Sequence, residues 1–172
     1  MDTLWAPWRM AYIVEEHSEN PVTNVTVGLN ADPGCFICQG IFDKTNDRQR
    51  YIVRRTDLTI TILNRFPYNN GHLLIAPHCH CGKLTNLAAT EKLEMIHEID
   101  RWTEILQRQI NPDGFNIGIN LGQSAGAGLP GHLHWHIVPR WNGDTNYMTT
   151  VGSAKVIPQA LDSLWEILTD IQ

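Results

Sequence analysis

No stretch of the 172 residues reaches the ~18 apolar residues that a membrane-spanning helix needs, so a function inside a bilayer is not expected. Positive charge is scarce: 13 Lys and Arg stand against 18 Asp and Glu, a formal net charge of -5. That balance counts against broad nucleic-acid binding, which needs a basic surface. It leaves room for a small phosphorylated ligand, because a pocket becomes locally positive through backbone amides and a few side chains. Internal repeats and low-complexity tracts are missing, which excludes solenoid arrays. The opening residues, from Met1 to Met10, lack the basic-then-apolar layout of a secretory signal, and a cytoplasmic location is the expectation. Only four cysteines occur, Cys35, Cys38, Cys79 and Cys81. Without an export signal, a C-x-x-C pair points to metal binding or redox work more than to disulfides.

What is present suits one domain of ordinary size, with a composition 42% hydrophobic that can bury a core. Residues 1–34 mix Trp5, Trp8 and Tyr12 with polar stretches and read as an irregular arm whose aromatics dock on the body or on a second subunit. Residues 51–55 and 58–63 read as strands, the second alternating and rich in β-branched side chains. A turn at 67–71 leads to a third strand, 72–77, stopped by Pro77. A long helix is predicted from Thr90, as N-cap, to Ile110, with Leu93, Ile96, Ile99, Trp102, Leu106 and Ile110 on its apolar face. Residues 115–121 and 132–138 read as further strands, separated by a glycine-rich loop from Gly122 to Gly131, and residues 158–171 as a closing helix. Strands, helix, strands, helix is the order of an α+β domain: an antiparallel sheet of about five strands with its helices on one face.

The chemistry concentrates in His132-Leu-His-Trp-His136. Side chains of a strand alternate, so His132, His134 and His136 share one face at steps of ~6.6 Å, while Leu133, Trp135 and Ile137 turn to the core. Three alternating imidazoles admit a solvated polar face, a metal site built from all three, or phosphoryl chemistry. The preceding loop favours the last, because glycines let backbone N–H groups approach a phosphate.

Gly131-His-Leu-His-Trp-His-Ile-Val-Pro-Arg140 resembles the signature of the histidine triad (HIT) superfamily, and Asn64-Arg-Phe-Pro-Tyr-Asn-Asn-Gly-His-Leu-Leu-Ile-Ala-Pro77 looks like its first block. The likeness runs from about Cys35 to Arg140, with Asn120 and Ala125-Gly126 at matching places. Trp141-Asn-Gly-Asp-Thr-Asn146 and the N-terminal Leu4-Trp-Ala-Pro-Trp8 are similar to the bacterial branch that acts on diadenosine tetraphosphate. The resemblance implies a single HIT-like domain over 1–172 that cleaves dinucleoside polyphosphates as a phosphorylase or a hydrolase. Other triad chemistry, such as phosphoramidate hydrolysis, and a nucleotide binder without turnover are the competing readings.

It further implies His134 as nucleophile forming a nucleotidyl-histidine, and His136 and Asn120 as partners of the phosphate. Asn64 would bond the ribose and Leu63 would contact the base. His72 would support the site, a role that competes with that of an ordinary core histidine. Gln123, Ser124 and the Gly126 region stand in for a Gln or Ser that many members carry where this chain has Gly128 and Pro130. Lys155 and Arg9 are further candidates for the leaving phosphate. Cys35 and Cys38, completed by His80 and His132, would bind a structural Zn2+, since four protein ligands leave no open position. If residues 78–82 are extended, Cys79 and Cys81 point away from His80. The resemblance also implies a homodimer paired through the long helix and a sheet edge.

Overall fold

The computed structural model describes residues 31–171; the first thirty residues of the expected arm, with Arg9, lie outside them. Helix α1 spans Phe36–Phe42, followed by strands β1 Ile52–Arg55, β2 Thr59–Leu63 and β3 Leu73–Pro77. Helix α2 spans Ala89–Ile110. Strands β4 Gly114–Ile119 and β5 Trp135–Arg140 come next, and helices α3 Met148–Val151 and α4 Leu161–Thr169 close the chain. All five strands form one antiparallel sheet in the order β1-β2-β3-β5-β4. The α+β class and strand count match the expectation. The helix α2 carries the chain from β3 to the far edge, and β5 then returns into the gap between them.

Helix α2 has Ala88 as its N-cap, two residues before the expected cap Thr90. The Glu91 carboxylate accepts from the Ala88 N–H at 2.7 Å, which satisfies a free donor and places negative charge at the N-terminus. Thr90 therefore has no capping role. The helix ends where Asn111 turns left-handed at φ 44°, before a proline that cannot continue it. Its buried stripe is Met95, Glu98, Ile99, Trp102, Ile105 and Leu106. Leu93 and Ile96, expected on that stripe, are instead 56% and 45% exposed. They lie on a ridge about 100° or more around the helix from the buried one.

The sheet is covered on both sides over β2 and β3, so the expectation of helices on one face is corrected. On one face, Leu63, Leu73, Ile75 and Ile137 pack with Trp102 and Leu106 of α2 and Leu164 and Leu168 of α4. Trp102 also donates its indole N–H to the Thr61 hydroxyl at 3.1 Å. On the other face, Ile60, Ile62, Leu74 and Ala76 pack with Ile37 and Ile41 of α1. Every residue of β2 and β3 is accordingly buried, as expected for strands apolar on both faces. The helix α1 covers this second face over β2 and β3, and His136, Asn116 and Gly118 lie in register beside it on β5 and β4.

Two glycines permit close packing around the sheet. Gly71, at φ +74° in the β2–β3 turn, holds a conformation that L side chains rarely adopt, and a Cβ there would lie 2.6 Å from Ile110 Cδ1. A Cβ on Gly82 would lie 2.3 Å from the Pro130 carbonyl oxygen, so this glycine lets the segment after β3 press against the end of the glycine-rich loop.

Candidate active site and metal centre

The regular strand β5 begins at Trp135, not at His132 as expected. The reason is local: Leu133 donates its N–H to the Cys81 carbonyl at 2.7 Å, so residues 132–134 are held by the segment after β3. The alternation survives. Leu133 and Ile137 lie in the α2-side core with Trp135 packed against it.

The ring of His132 turns to the two thiols. Its Nδ1 lies 3.3 Å from Cys35 Sγ and 3.4 Å from Cys38 Sγ, while its Nε2 faces the Pro77 carbonyl at 2.9 Å. A carbonyl only accepts, so Nε2 carries the proton and Nδ1 presents a lone pair to the sulfurs. His80 brings its own Nδ1 to 3.2 Å from Cys38 Sγ. The ligand atoms of Cys35, Cys38, His80 and His132 all lie within 4.8 Å of one another. A tetrahedral ion with zinc-like bond lengths separates sulfur and nitrogen ligands by roughly 3.5 Å, which the distances match. Burial pushes the Cys35 thiol up to about 12, so a cation is what would make it a thiolate here. Cys79 and Cys81 lie against the α2-side core, 3.3 Å apart, and take no part in this cluster. The three triad histidines do not converge on one point.

His134 Nδ1 lies 2.8 Å from the carbonyl oxygen of His132. That contact places the proton on Nδ1 and leaves Nε2 with a free lone pair. Burial holds the ring below its ordinary pKa, so it is neutral at pH 7. The tautomer of His136 follows from a longer chain. The backbone N–H of Tyr68 donates to His72 Nδ1 at 3.0 Å, and the Asn64 side-chain amide approaches the same atom at 3.2 Å. His72 must then carry its proton on Nε2, which donates to His136 Nδ1 at 2.9 Å. His136 in turn carries its proton on Nε2. A neutral His136 is thus a hydrogen-bond donor beside His134, the two rings 5.0 Å apart.

This chain gives His72 a definite task. It also shows two residues that sequence reasoning did not single out. The ring of Tyr68 covers His72 at 4.7 Å and stacks on His136 at 5.8 Å; an aromatic in a turn of the first block was its only signal. Asp144 accepts two bonds from Arg140 and one from Asn69, tying the end of β5 to the β2–β3 turn.

The remaining expected residues are placed less directly. Asn120 donates to the Gly126 carbonyl at 3.2 Å and so closes the loop turn, and Gln123 and Ser124 stand exposed on that turn. Asn64 is engaged with His72 and with the Phe66 N–H. Leu63 is fully buried in the α2-side core, which corrects its expected contact with a base: strand alternation turns it from the histidine face.

A neutral imidazole with a free Nε2 lone pair, a neighbouring donor of fixed tautomer and a glycine-rich loop are the features of the histidine triad class. The chain belongs to that family: residues 45–143 match the model of the HIT domain. It is 37% identical to the AP-4-A phosphorylase of Mycobacterium tuberculosis over 162 residues, 94% of this chain and 79% of that one. It is 30% identical over 90 residues to the asymmetrical bis(5'-nucleosyl)-tetraphosphatase of Schizosaccharomyces pombe, covering 52% of this chain and 49% of that one. A Zn-bound histidine triad family protein of Mycobacterium smegmatis shares the fold at a TM-score of 0.64 and 23% identity, over 79% of this chain and 91% of that one.

The buried histidines make stability depend on pH. Burial holds His72 at about 3, against an ordinary value of about 6.5. Below that value the unfolded chain takes up a proton that the folded chain refuses. The stabilising contribution is full above pH ~6.5 and is lost as pH falls toward the folded value. Urea unfolding is expected to show this loss between pH 7 and 4, with a slope shallower in His72→Gln by up to roughly 1.4 kcal/mol per pH unit. An unchanged slope in the variant would show that His72 is not held neutral by the fold.

Proposed function

We propose that the chain is a nucleotidyl-transferring enzyme that cleaves dinucleoside polyphosphates, of the diadenosine tetraphosphate phosphorylase kind. The observation that carries this reading is the His134 Nδ1–H bond to its neighbour's carbonyl, which leaves Nε2 free to attack an α-phosphorus. The P–O bond to the departing polyphosphate breaks, and its electron pair leaves on the oxygen. The His136 Nε2–H donates to a phosphate oxygen as charge shifts there. Inorganic phosphate then attacks the same phosphorus, the N–P electron pair returns to Nε2, and a nucleoside diphosphate leaves. Asn120, Gly126, Gln123 and Ser124 line the approach on the loop side, Asn64 and His72 on the turn side. Likeness to the mycobacterial phosphorylase over most of the chain supports phosphate as acceptor. The fission-yeast tetraphosphatase keeps water as the second reading.

We further propose that the Cys35, Cys38, His80 and His132 cluster holds a structural zinc ion and that the protein is a homodimer. Zinc would tie α1 to the start of the catalytic segment. For the dimer, β4 is an open sheet edge, which invites pairing, and Ile117 on it and Leu121 just after it are exposed, as are Leu93 and Ile96 on α2. No helix among the described residues is long and apolar enough to cross a membrane. The four thiols are free, which suits the reducing conditions of the cytoplasm.

Incubation with diadenosine tetraphosphate is expected to yield ADP and ATP only when inorganic phosphate is present, and His134→Ala to lower turnover at least ~10³-fold. Turnover without phosphate would make the enzyme a hydrolase, and activity of the variant within tenfold of wild type would exclude His134 as nucleophile. Metal analysis should find one zinc per chain, lost in Cys35→Ser together with a fall in melting temperature. A zinc-free protein whose melting ignores chelators would remove the metal. Sedimentation should report twice the mass of one chain, and a single-chain mass would remove the dimer.

A further inference from the structure

We infer that Tyr68 is a positioning residue: its ring clamps the plane of His136 and so aims the Nε2–H that meets the phosphate. The inference rests on the nucleotidyl-transfer reading above and adds the group that holds its hydrogen-bond donor in line.

His136 is poorly held by its own sheet. It lies on the α1-side face, in register between Leu74 of β3 and Gly118 of β4. Leu74 is buried and closes the β3 side. Gly118 brings no side chain, and a Cβ built there would meet no atom of the described residues within 4 Å. The space beside the ring over β4 is therefore open. The bond from His72 Nε2 to His136 Nδ1 at 2.9 Å fixes one atom of the ring. It leaves the plane free to tilt toward the open side, because the outer torsion of a histidine has broad wells.

Tyr68 supplies the missing constraint. Its ring stacks on His136 at 5.8 Å with the planes 20° apart, and it lies 4.7 Å from His72 at 33°. His72 and His136 are themselves 5.1 Å apart, so the three rings close a triangle in which each meets the other two. These separations are those of favourable aromatic pairs. A stacked face opposes tilting, whereas a bond at one ring edge opposes only withdrawal.

The clamp is itself anchored. The Tyr68 N–H donates to His72 Nδ1 at 3.0 Å. Two residues earlier, the Phe66 N–H is held by the Asn64 side-chain oxygen at 3.0 Å. One residue later, the buried Asn69 donates to the Pro139 carbonyl at 3.0 Å and to Asp144 at 2.7 Å. The turn is thus pinned on both sides of the tyrosine. The phenol oxygen makes no hydrogen bond among the described residues, and Tyr68 is 45% exposed. The ring, not the hydroxyl, carries the effect.

A donor directed at a phosphate oxygen stabilises the charge that develops as the P–O bond breaks, and it does so only when correctly aimed. Losing the clamp should therefore slow chemistry and leave substrate capture alone. The test compares wild type, Tyr68→Phe and Tyr68→Leu on diadenosine tetraphosphate, with melting temperature as the check on folding and nitrogen NMR of the histidine rings as a second readout. Both variants keep the backbone N–H that bonds His72. Tyr68→Leu is expected to lower kcat about 10- to 100-fold with KM within about threefold of wild type. Its His136 ring nitrogens move from a single Nε2–H tautomer toward an average of two. Tyr68→Phe keeps both the rate and the wild-type signals. A Tyr68→Leu protein with unchanged kcat and unchanged His136 signals overturns the inference. So does one that melts lower while those signals stay put, since that marks a merely structural ring, or one in which KM alone rises, since that marks a substrate contact. A Tyr68→Phe protein as slow as Tyr68→Leu would move the role to the hydroxyl and overturn it too. Failure of the wild-type protein to turn over any dinucleoside polyphosphate would instead overturn the reading beneath, and the NMR comparison would still decide whether Tyr68 holds His136.

Discussion

An imidazole offers a lone pair only through a nitrogen that carries no proton, and one peptide carbonyl fixes which nitrogen of His134 that is. The oxygen of His132 accepts from Nδ1 of His134, and the tautomer is thereby settled without a carboxylate. The same residue uses its side chain elsewhere: its Nε2 is held by the Pro77 carbonyl and its Nδ1 faces the two thiols. His132 is therefore a rivet between three pieces, the end of β3, helix α1 and the segment that carries His134. Movement of the thiol cluster would move the carbonyl that sets the tautomer of His134. A closed ligand set at that point makes sense as scaffolding, because a second-neighbour distance of 2.8 Å tolerates little error.

Where regular structure stops at the site, the departures have causes. β5 starts three residues late because Leu133 pairs with Cys81 and not with a strand. That irregular entry frees His132 to rotate to the thiols while His134 and His136 stay over the open part of the sheet. Gly82 permits the close passage, since any side chain there would strike the Pro130 carbonyl. An ideal strand from His132 onward would have lined up three imidazoles on one face and separated neither function.

Alternation alone sufficed to place the three histidines on one side and Leu133, Trp135 and Ile137 on the other, and the C-x-x-C spacing with the likeness to the triad family named all four members of the thiol and imidazole cluster. Strand number and class were equally readable, because β2 and β3 are short apolar runs bounded by turns. Other features depend on tertiary placement and leave little local trace. The second sheet face is covered by α1, a seven-residue helix with no pronounced periodicity. Leu93 and Ile96 obey the helical spacing yet face outward, as one chain's pattern does not say which of two apolar ridges meets the sheet. Leu63 was assigned to a base because motif position says where a residue falls but not which way the pleat turns it. Tyr68 acts partly through its backbone N–H, which no side-chain pattern encodes.

Burial has a further consequence that ties stability to chemistry. Keeping three histidines neutral leaves His134 a free lone pair and also strips the site of the cations that phosphates attract. Enzymes that move phosphoryl groups commonly answer this with a metal ion or an arginine clamp. Here the metal-ligand cluster has no open position and Arg140 is spent on Asp144 and Asn116, holding the end of β5 to the turn that carries His72. Asn69 reaches the same carboxylate, so the Arg140–Asp144 pair ties the end of β5 to the β2–β3 turn. Positive charge for a phosphate then has to come from elsewhere, and the backbone amides of the glycine-rich loop are one source. The acidic balance of the whole chain is compatible with an anionic substrate for the same reason: the field that matters is set within a few ångströms by the groups around His134, not by the net count.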